Sequence, residues 1–445
     1  MSGEKSRRAV AGCSVIGHRA PWTGTFDLPV ADTSTGDSST GDSSTGDPDQ
    51  SDRETKKEPS RVTSGRVTSD GPAAVIVLAA GEGTRMRTAL PKMLNEVCGR
   101  AMLGHVIAAA HELAPQRLIL VVSDLDGQVA AYAREHYPDA TLVVQERRGS
   151  WGTGHAVRTV IESEGVIHGT VVVLFSDTPM LRGETLVSLI AAHEAEGAAV
   201  TVLTAQAPDP HGYGRILRDE AGEVTGIVEE ADATPEQRKV TEISSGMFAF
   251  DGDLLADAVK RVSAAKATGE EYLTEVPAIL RADGHLVGSA FCPDFDEIQG
   301  VNNQTQLASA RRILNERQLA HWMAAGVTIV DPASTWIDVN VQIEPGARIS
   351  QATQLEGHTI VGAGASVGPG CLLRDTAVGA GARVLQAVCE ASVIEPGSVV
   401  GPFTHLTAGS REGSAAGDEP QGQERGASGQ SPSRSNSTTW QHKES

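Results

Sequence analysis

The sequence is short of cysteine, of aromatic residues and of positive charge, and each shortage excludes something. Its five cysteines (Cys13, Cys98, Cys292, Cys371 and Cys389) are odd in number, widely spaced and nowhere arranged as CxxC. They form neither a disulfide framework nor a zinc site, and they fit a reducing cytoplasm. Lys and Arg number 37 against 57 Asp and Glu, a formal charge of −20, which argues against a surface that coats nucleic acid. A few local cations and backbone N–H groups would still suffice for a single nucleotide. No apolar stretch is long enough to span a membrane, and the N-terminus lacks the apolar run of a secretory signal. Aromatics make up only 4% of the 445 residues, whereas glycine reaches 48, so large core anchors are few and tight turns many. A chain of this length predicts two or three folded units plus tails.

Residues 1–72 read as a disordered extension. Their period-five repeat, Ser34-Thr35-Gly36-Asp37 to Ser44-Thr45-Gly46-Asp47, buries too little apolar area to offset the cost of ordering a backbone. Order is expected to begin at Ala73. The apolar run Ala74–Leu78 ends in glycines and reads as a buried strand, with similar runs at Leu118–Val122, Val171–Phe175 and Val200–Leu203. Helix-like stretches lie between them, such as Met102–Leu113 and Glu184–Glu196. That alternation predicts βαβ units and a mostly parallel sheet covered on both faces, over 73–303. A connecting helix follows over 304–326, which Gly326 could cap.

Beyond it the period changes. Ile337, Ile343, Ile349, Leu355, Val361, Val367 and Leu373 fall at steps of six, the phase slips, and the steps resume at Val388, Ile394, Val400 and Leu406. A six-residue period suits neither a helix nor a flat strand but matches a parallel β-helix with one inward aliphatic per hexad. About four coils are expected over 327–408. Residues 409–445 are polar and Ser/Gly/Gln-rich, and read as a disordered tail.

The chemistry gathers after the first strand, in Leu78-Ala79-Ala80-Gly81-Glu82-Gly83-Thr84-Arg85-Met86 and then Leu90-Pro91-Lys92. Glycines there let backbone N–H groups approach phosphate oxygens. No Gly-Lys-Ser/Thr follows, so this is no Walker loop, and Met86 stands where a dinucleotide fingerprint needs its third glycine. Two fixed cations, Arg85 and Lys92, suit a triphosphate whose charge rises during attack at the α-phosphate. Asp177, just past the run Val171–Phe175, falls at the carboxyl end of a strand, where open α/β sheets bind ligands.

This string closely resembles the nucleotide-sugar pyrophosphorylase signature. Gly152-Thr153-Gly154-His155-Ala156, Asp177-Thr178-Pro179, Gly212-Tyr213-Gly214-Arg215-Ile216, Gly226-Ile227-Val228-Glu229 and Gly300-Val301-Asn302-Asn303 narrow the resemblance further. It is to the bifunctional N-acetylglucosamine-1-phosphate uridylyltransferase / glucosamine-1-phosphate N-acetyltransferase family, over roughly 73–406. The resemblance implies an α/β fold: a Rossmann-like, mostly parallel nucleotidyltransferase sheet, then a short left-handed parallel β-helix of hexapeptide repeats. It implies transfer of UMP from UTP to N-acetylglucosamine 1-phosphate, with Mg²⁺, for cell-wall precursor synthesis in the cytoplasm, and a homotrimer joined through the β-helix. Leu78, Ala79, Ala80 and Gly81 would then cradle the nucleotide, and Gln145, Gly152 and Thr153 would read the uracil. Arg85 and Lys92 would neutralise phosphates, Asp177 and Asn302 would hold Mg²⁺, and Gly214, Glu229 and Ser244 would contact the sugar, with Asn302 also facing substrate. His155 and His105 read as capping or structural residues.

The chain departs from the family pattern at several points. Ser176 stands where the family has glycine, Ser244 where it has an asparagine, and Lys266 where it has another asparagine. The stretch Glu146–Trp151 is about two residues longer than usual. Thr407 stands where the family's acetyl-transfer site has an arginine, and the later motifs of that site are missing from 409–445. Uridylyl transfer without acetyl transfer is therefore expected. Ser244 and Lys266 keep open a pyrophosphorylase for another sugar 1-phosphate, and Ser176 keeps open a non-catalytic trimeric scaffold.

Overall fold

The computed structural model describes residues 71–81, 83–146, 151–263 and 269–413. The readings made for residues 1–70 and 414–445, and for Lys266, lie outside them. The amino-terminal half is built on a nine-stranded sheet whose main path runs β11-β7-β10-β6-β1-β4-β5. The strands are β1 (Ala74–Leu78), β4 (Leu118–Val122), β5 (Thr141–Val144), β6 (Thr170–Phe175), β7 (Val200–Gln206), β10 (Glu242–Asp251) and β11 (Val287–Cys292), with β8 (Gly214–Arg218) and β9 (Val224–Val228) joined beside β10. A small hairpin, β2 (Glu96–Val97) and β3 (Arg100–Ala101), lies apart. Helices α1 (Met102–His111), α2 (Gln128–His136), α3 (Thr153–Glu164), α4 (Gly183–Glu196), α5 (Gly252–Ala258) and α6 (Val276–Ala282) cover the faces.

The middle of the sheet shows why the pattern folds this way. Every residue of β1 is buried. Val75, Val77 and Ala79 belong to one core, and Ala74, Ile76 and Leu78 to the other, as the two-residue period of a strand requires. Burying each such aliphatic contributes roughly 1.5–3 kcal/mol. Pairing is parallel along β6-β1-β4-β5 and between β7 and β11, whereas β10 runs antiparallel to both β6 and β7. Register then places the site. Leu78 lies opposite Phe175, so the chain leaves β1 and β6 side by side, delivering the glycine loop and Asp177 to one edge. A register shift between Ser244 and Phe248 interrupts β10 against β7, and β8 pairs with β10 at Ser244 and Ile243.

Helix α7 (Gln304–Ala324) begins at Asn303, whose side chain accepts from Gln306 N. Its buried Asn315 donates to Thr335 O and accepts from Ile337 N at 2.8 and 3.0 Å, fastening the helix to the repeat segment. That segment comprises three five-stranded parallel sheets, the parallel β-helix that the six-residue period implied.

Three details differ from the sequence reading. The described residues form five rungs, where about four were expected. The second run of inward residues begins at Cys389, which is fully buried, rather than at Val388, which is 38% exposed. Before and at that start three inward steps have five residues, Leu373 to Val378, Val384 to Cys389 and Cys389 to Ile394, and their turns hold Asp375, Gln386 and Ala391 in left-handed conformations (φ 48, 41 and 42). Finally, the β-helix extends past 408. Arg411–Glu412 pairs with Val393–Ile394, continuing the six-residue step with Glu412, a charged residue that hydrophobic periodicity could not register.

Candidate active site

Two adjoining cavities open at the carboxyl ends of β1 and β6. One, of about 560 Å³, is lined by Leu78, Ala80, Gly81, Arg85, Lys92, Gln145, Gly152, Thr153, Ser176, Asp177 and Asn302. The other, of about 520 Å³, is lined by Gly214, Glu229 and Ser244, and it shares Arg85, Thr153, Asp177 and Asn302 with the first. Ala79 is the one site candidate that lines neither. Its side chain sits in the core and its N–H donates to Val121 O at 2.8 Å, so a contact through that amide is ruled out.

The shared wall carries the charge. Lys92 Nζ lies 2.5 Å from Asp177 Oδ2 and donates to Asn302 Oδ1 at 2.8 Å, and Arg85 Nη2 donates to the same Asn302 oxygen at 2.8 Å. The pair Lys92–Asp177 is largely withdrawn from water, at 13% and 17% side-chain exposure. Sequence separations of 85 and 210 residues are closed by three local devices. Gly83, at φ 61, packs so closely that a Cβ would stand 2.3 Å from Lys92 Cβ, which presses the lysine into the cleft. Strand β6 delivers Asp177. Val301 N donates to Asp177 O at 2.8 Å, holding the loop that bears Asn302. Gly81 differs from Gly83, since a Cβ there would meet nothing within 4 Å; its bareness keeps the cleft clear.

In the first cavity, Gln145 follows β5 and is buried. Its Nε2 donates to Gly152 O at 2.9 Å and lies 3.1 Å from His155 Nδ1. Gly152, at φ 117, is pressed against the segment 270–273, where a Cβ would fall 2.4 Å from Glu271 O. That segment also bonds Thr153 Oγ1, through Leu273 N at 2.9 Å, and Gly154 N, through Glu271 O at 2.8 Å. Ser176 is buried, its N–H donating to Leu78 O.

In the second cavity, Glu229 Oε1 accepts from Thr274 Oγ1 at 2.6 Å. Burial raises the Glu229 carboxyl above its ordinary range, with Asp232 and Glu270 adding to the effect, while the Thr274 bond opposes it. A Cβ on Gly214 would meet Ile227 Cγ2 at 2.9 Å and the Glu229 carboxylate at 3.5 Å, so the missing side chain leaves room in front of Glu229. Neighbouring Glu230 pairs with the buried Arg215 at 2.6 Å. Ser244 Oγ accepts from Gly246 N at 3.1 Å. His105 is remote from both cavities. Its Nε2 meets Val97 O at 2.7 Å, and burial lowers its pKa to about 4.

Sequence reasoning missed Glu271, Tyr272 and Thr274, which belong to no glycine motif and reach the site only by folding back onto α3. Tyr213, inside a quoted motif, lines the second cavity without having been singled out.

A glycine loop at a parallel strand end, two cations and an Asp–Asn pair between two cavities define a nucleotidyltransferase. In agreement, residues 75–240 match the MobA-like NTP transferase domain. Similar proteins include the bifunctional protein GlmU of Thermobifida fusca, 56% identical over 73% of this chain and 68% of the relative. GlmU of Streptomyces avermitilis is 54% identical over 78% and 72%, and that of Streptomyces coelicolor 53% identical over 77% and 71%. The chain belongs to the bifunctional GlmU family, and its nucleotidyltransferase half is a uridylyltransferase of UDP-N-acetylglucosamine synthesis.

Proposed function

We propose that the protein joins UTP and N-acetylglucosamine 1-phosphate with Mg²⁺, releasing pyrophosphate, in the cytoplasm. The observation that carries the reading is that Arg85, Asp177 and Asn302 line the wall shared by the two cavities while Lys92, from the first cavity, bonds both Asp177 and Asn302. The first cavity takes the nucleotide: Leu78, Ala80 and Gly81 flank the phosphates, while Gln145, Gly152 and Thr153 meet the base. The second takes the sugar, with Glu229 accepting from a hydroxyl and Gly214 and Ser244 shaping the space. The α-phosphate then sits at the boundary, facing the incoming sugar phosphate.

The donor set fits Mg²⁺. Asp177 Oδ2 and Asn302 Oδ1 are hard oxygens already converging on one cationic nitrogen, and Mg²⁺ commonly takes one or two protein oxygens plus phosphate and water. Asp177 and Asn302 would hold the ion, which would supply charge stabilisation to the α-phosphate and to the leaving pyrophosphate. The protein's own groups do the rest. Arg85 and Lys92 offset charge that builds on the phosphates. The rigid strand ends hold nucleophile and phosphorus in line. No general base is required, because the attacking sugar phosphate is already ionised.

A substrate panel tests the reading. Mg²⁺-dependent pyrophosphate release should be fastest with N-acetylglucosamine 1-phosphate. A preference for glucose 1-phosphate would transfer the assignment to another pyrophosphorylase, and no turnover with any sugar phosphate would leave a scaffold.

We further propose that the chain lacks acetyl transfer. Thr407, which supplies no cation, occupies the expected arginine position beside His405–Leu406. Acetyl-CoA with glucosamine 1-phosphate should release no CoA. We also propose a homotrimer through the β-helix, supported by outward apolar residues such as Trp336, Ile360 and Val399, 40%, 37% and 63% exposed. Sedimentation at the monomer mass would refute it.

A further inference from the structure

We propose that His155 is a positioning residue for base selection: it fixes the amide of Gln145 so that the carbonyl oxygen, not the NH₂ group, is presented to the base. This rests on the assignment of the first cavity to the nucleotide.

Gln145 Nε2 has two neighbours, Gly152 O at 2.9 Å and His155 Nδ1 at 3.1 Å. A peptide carbonyl can only accept, so it takes one amide hydrogen. The second points to His155 Nδ1, which must then be the unprotonated nitrogen of a neutral ring. Both amide hydrogens are thereby used inside the protein. Oε1 takes no hydrogen bond among the described residues, although Gln145 is buried and lines the cavity. An acceptor held in this way pairs with the N3–H of uracil. Cytosine carries an acceptor at N3 and would face the oxygen lone pairs unpaired.

His155 sits in the first turn of α3, and Thr159 Oγ1 donates to its backbone O at 2.9 Å. Arg158 and Glu162, on the same helix, and Glu271, from the segment packed against it, are the charged groups around the ring. Arg158 pairs with Glu271 at 2.7 Å. Burial first, then Arg158, keeps the imidazole below its ordinary pKa against the pull of Glu271 and Glu162. That direction favours the neutral ring which the hydrogen-bond geometry at Nδ1 requires. A protonated ring would set N–H against N–H, and a turned amide would set Oε1 against Gly152 O, so neither orientation would be satisfied.

The test compares kcat/KM for UTP and CTP in the full-length protein and in His155→Ala and His155→Asn. The asparagine can return an acceptor oxygen near the position of Nδ1. With one of two restraints lost, His155→Ala should lower the UTP/CTP ratio by about five- to tenfold, chiefly through KM for UTP, as expected for a single hydrogen bond. His155→Asn should keep most of the ratio. The wild-type ratio should also fall on the acid side, as the ring protonates, and that fall should vanish in His155→Ala. An unchanged ratio in His155→Ala would overturn the proposal, as would equal loss in both variants. If turnover is lost, UTP and CTP binding by calorimetry reads the same ratio. A wild-type protein that ignores UTP would instead refute the uridylyltransferase site itself.

Discussion

Replacing Lys92 by Met separates two consequences of the shared wall. The ammonium lies 2.5 Å from Asp177 Oδ2 and 2.8 Å from Asn302 Oδ1, between the two oxygens proposed to hold the metal. A cation entering that place must displace it. Exposed ion pairs contribute roughly 0–1 kcal/mol, and breaking a buried pair costs roughly 3–5 kcal/mol. At 13% and 17% exposure this pair lies between those limits, and a discounted figure of about 1–3 kcal/mol is appropriate. At 1.4 kcal/mol per tenfold, Lys92→Met should tighten nucleotide-free Mn²⁺ binding by roughly 5–140-fold. Lys92 is also proposed to offset phosphate charge, so the same variant should lose about 10²–10³ in kcat. Calorimetry or electron paramagnetic resonance with Mn²⁺ reads the first effect, and pyrophosphate release reads the second. Opposite signs are the expected result. Metal affinity that stays constant or falls together with activity would show that Lys92 does not occupy the metal's place.

Asp177→Asn should lower kcat by about 10²–10³ while circular dichroism remains native; rates near wild type would remove Asp177 from the site. Glu229 has a raised pKa, so kcat/KM for the sugar phosphate should begin to fall at a higher pH than an ordinary glutamate would dictate. Glu229→Gln should flatten that limb, and a profile identical to wild type would refute the role. Because the folded state holds this proton more tightly than the unfolded state, the group's contribution to stability falls as pH rises from its unfolded to its folded pKa. Glu229→Gln should therefore melt no lower than wild type at neutral pH. Leu355, fully buried in the β-helix, should cost about 2–5 kcal/mol as alanine, seen in the melting of that segment, with uridylyl transfer retained. Ser244→Asn should lower KM for the sugar phosphate, and a change confined to KM for UTP would misplace Ser244.

What could be read in advance follows the reach of each signal. The run Ala74–Leu78 announces a strand covered on both faces because its residues alternate between two cores. Asp177 is legible because it follows such a run. The hexads are legible while each turn keeps its length. They mislead at Val388, because the inward steps Val384 to Cys389 and Cys389 to Ile394 are one residue shorter than the hexad, and they fall silent at Glu412. Position in a motif also cannot tell which atoms remain available: Ala79 stands among the loop residues, yet its amide belongs to β4. The segment around Glu271 was invisible for a different reason. Its contacts with Gly152 and Thr153 join residues more than a hundred positions apart, and they exist only once α3 and the chain after α5 have packed.

The central claim is that one wall, made by Arg85, Lys92, Asp177 and Asn302, joins a uridine nucleotide to an aminosugar phosphate. Phosphorus NMR of the purified protein with UTP, N-acetylglucosamine 1-phosphate and Mg²⁺ tests it most directly. The account predicts that pyrophosphate and UDP-N-acetylglucosamine grow together in equal amounts, and that both stop when the metal is chelated. Unchanged UTP and sugar phosphate in the presence of metal would contradict it.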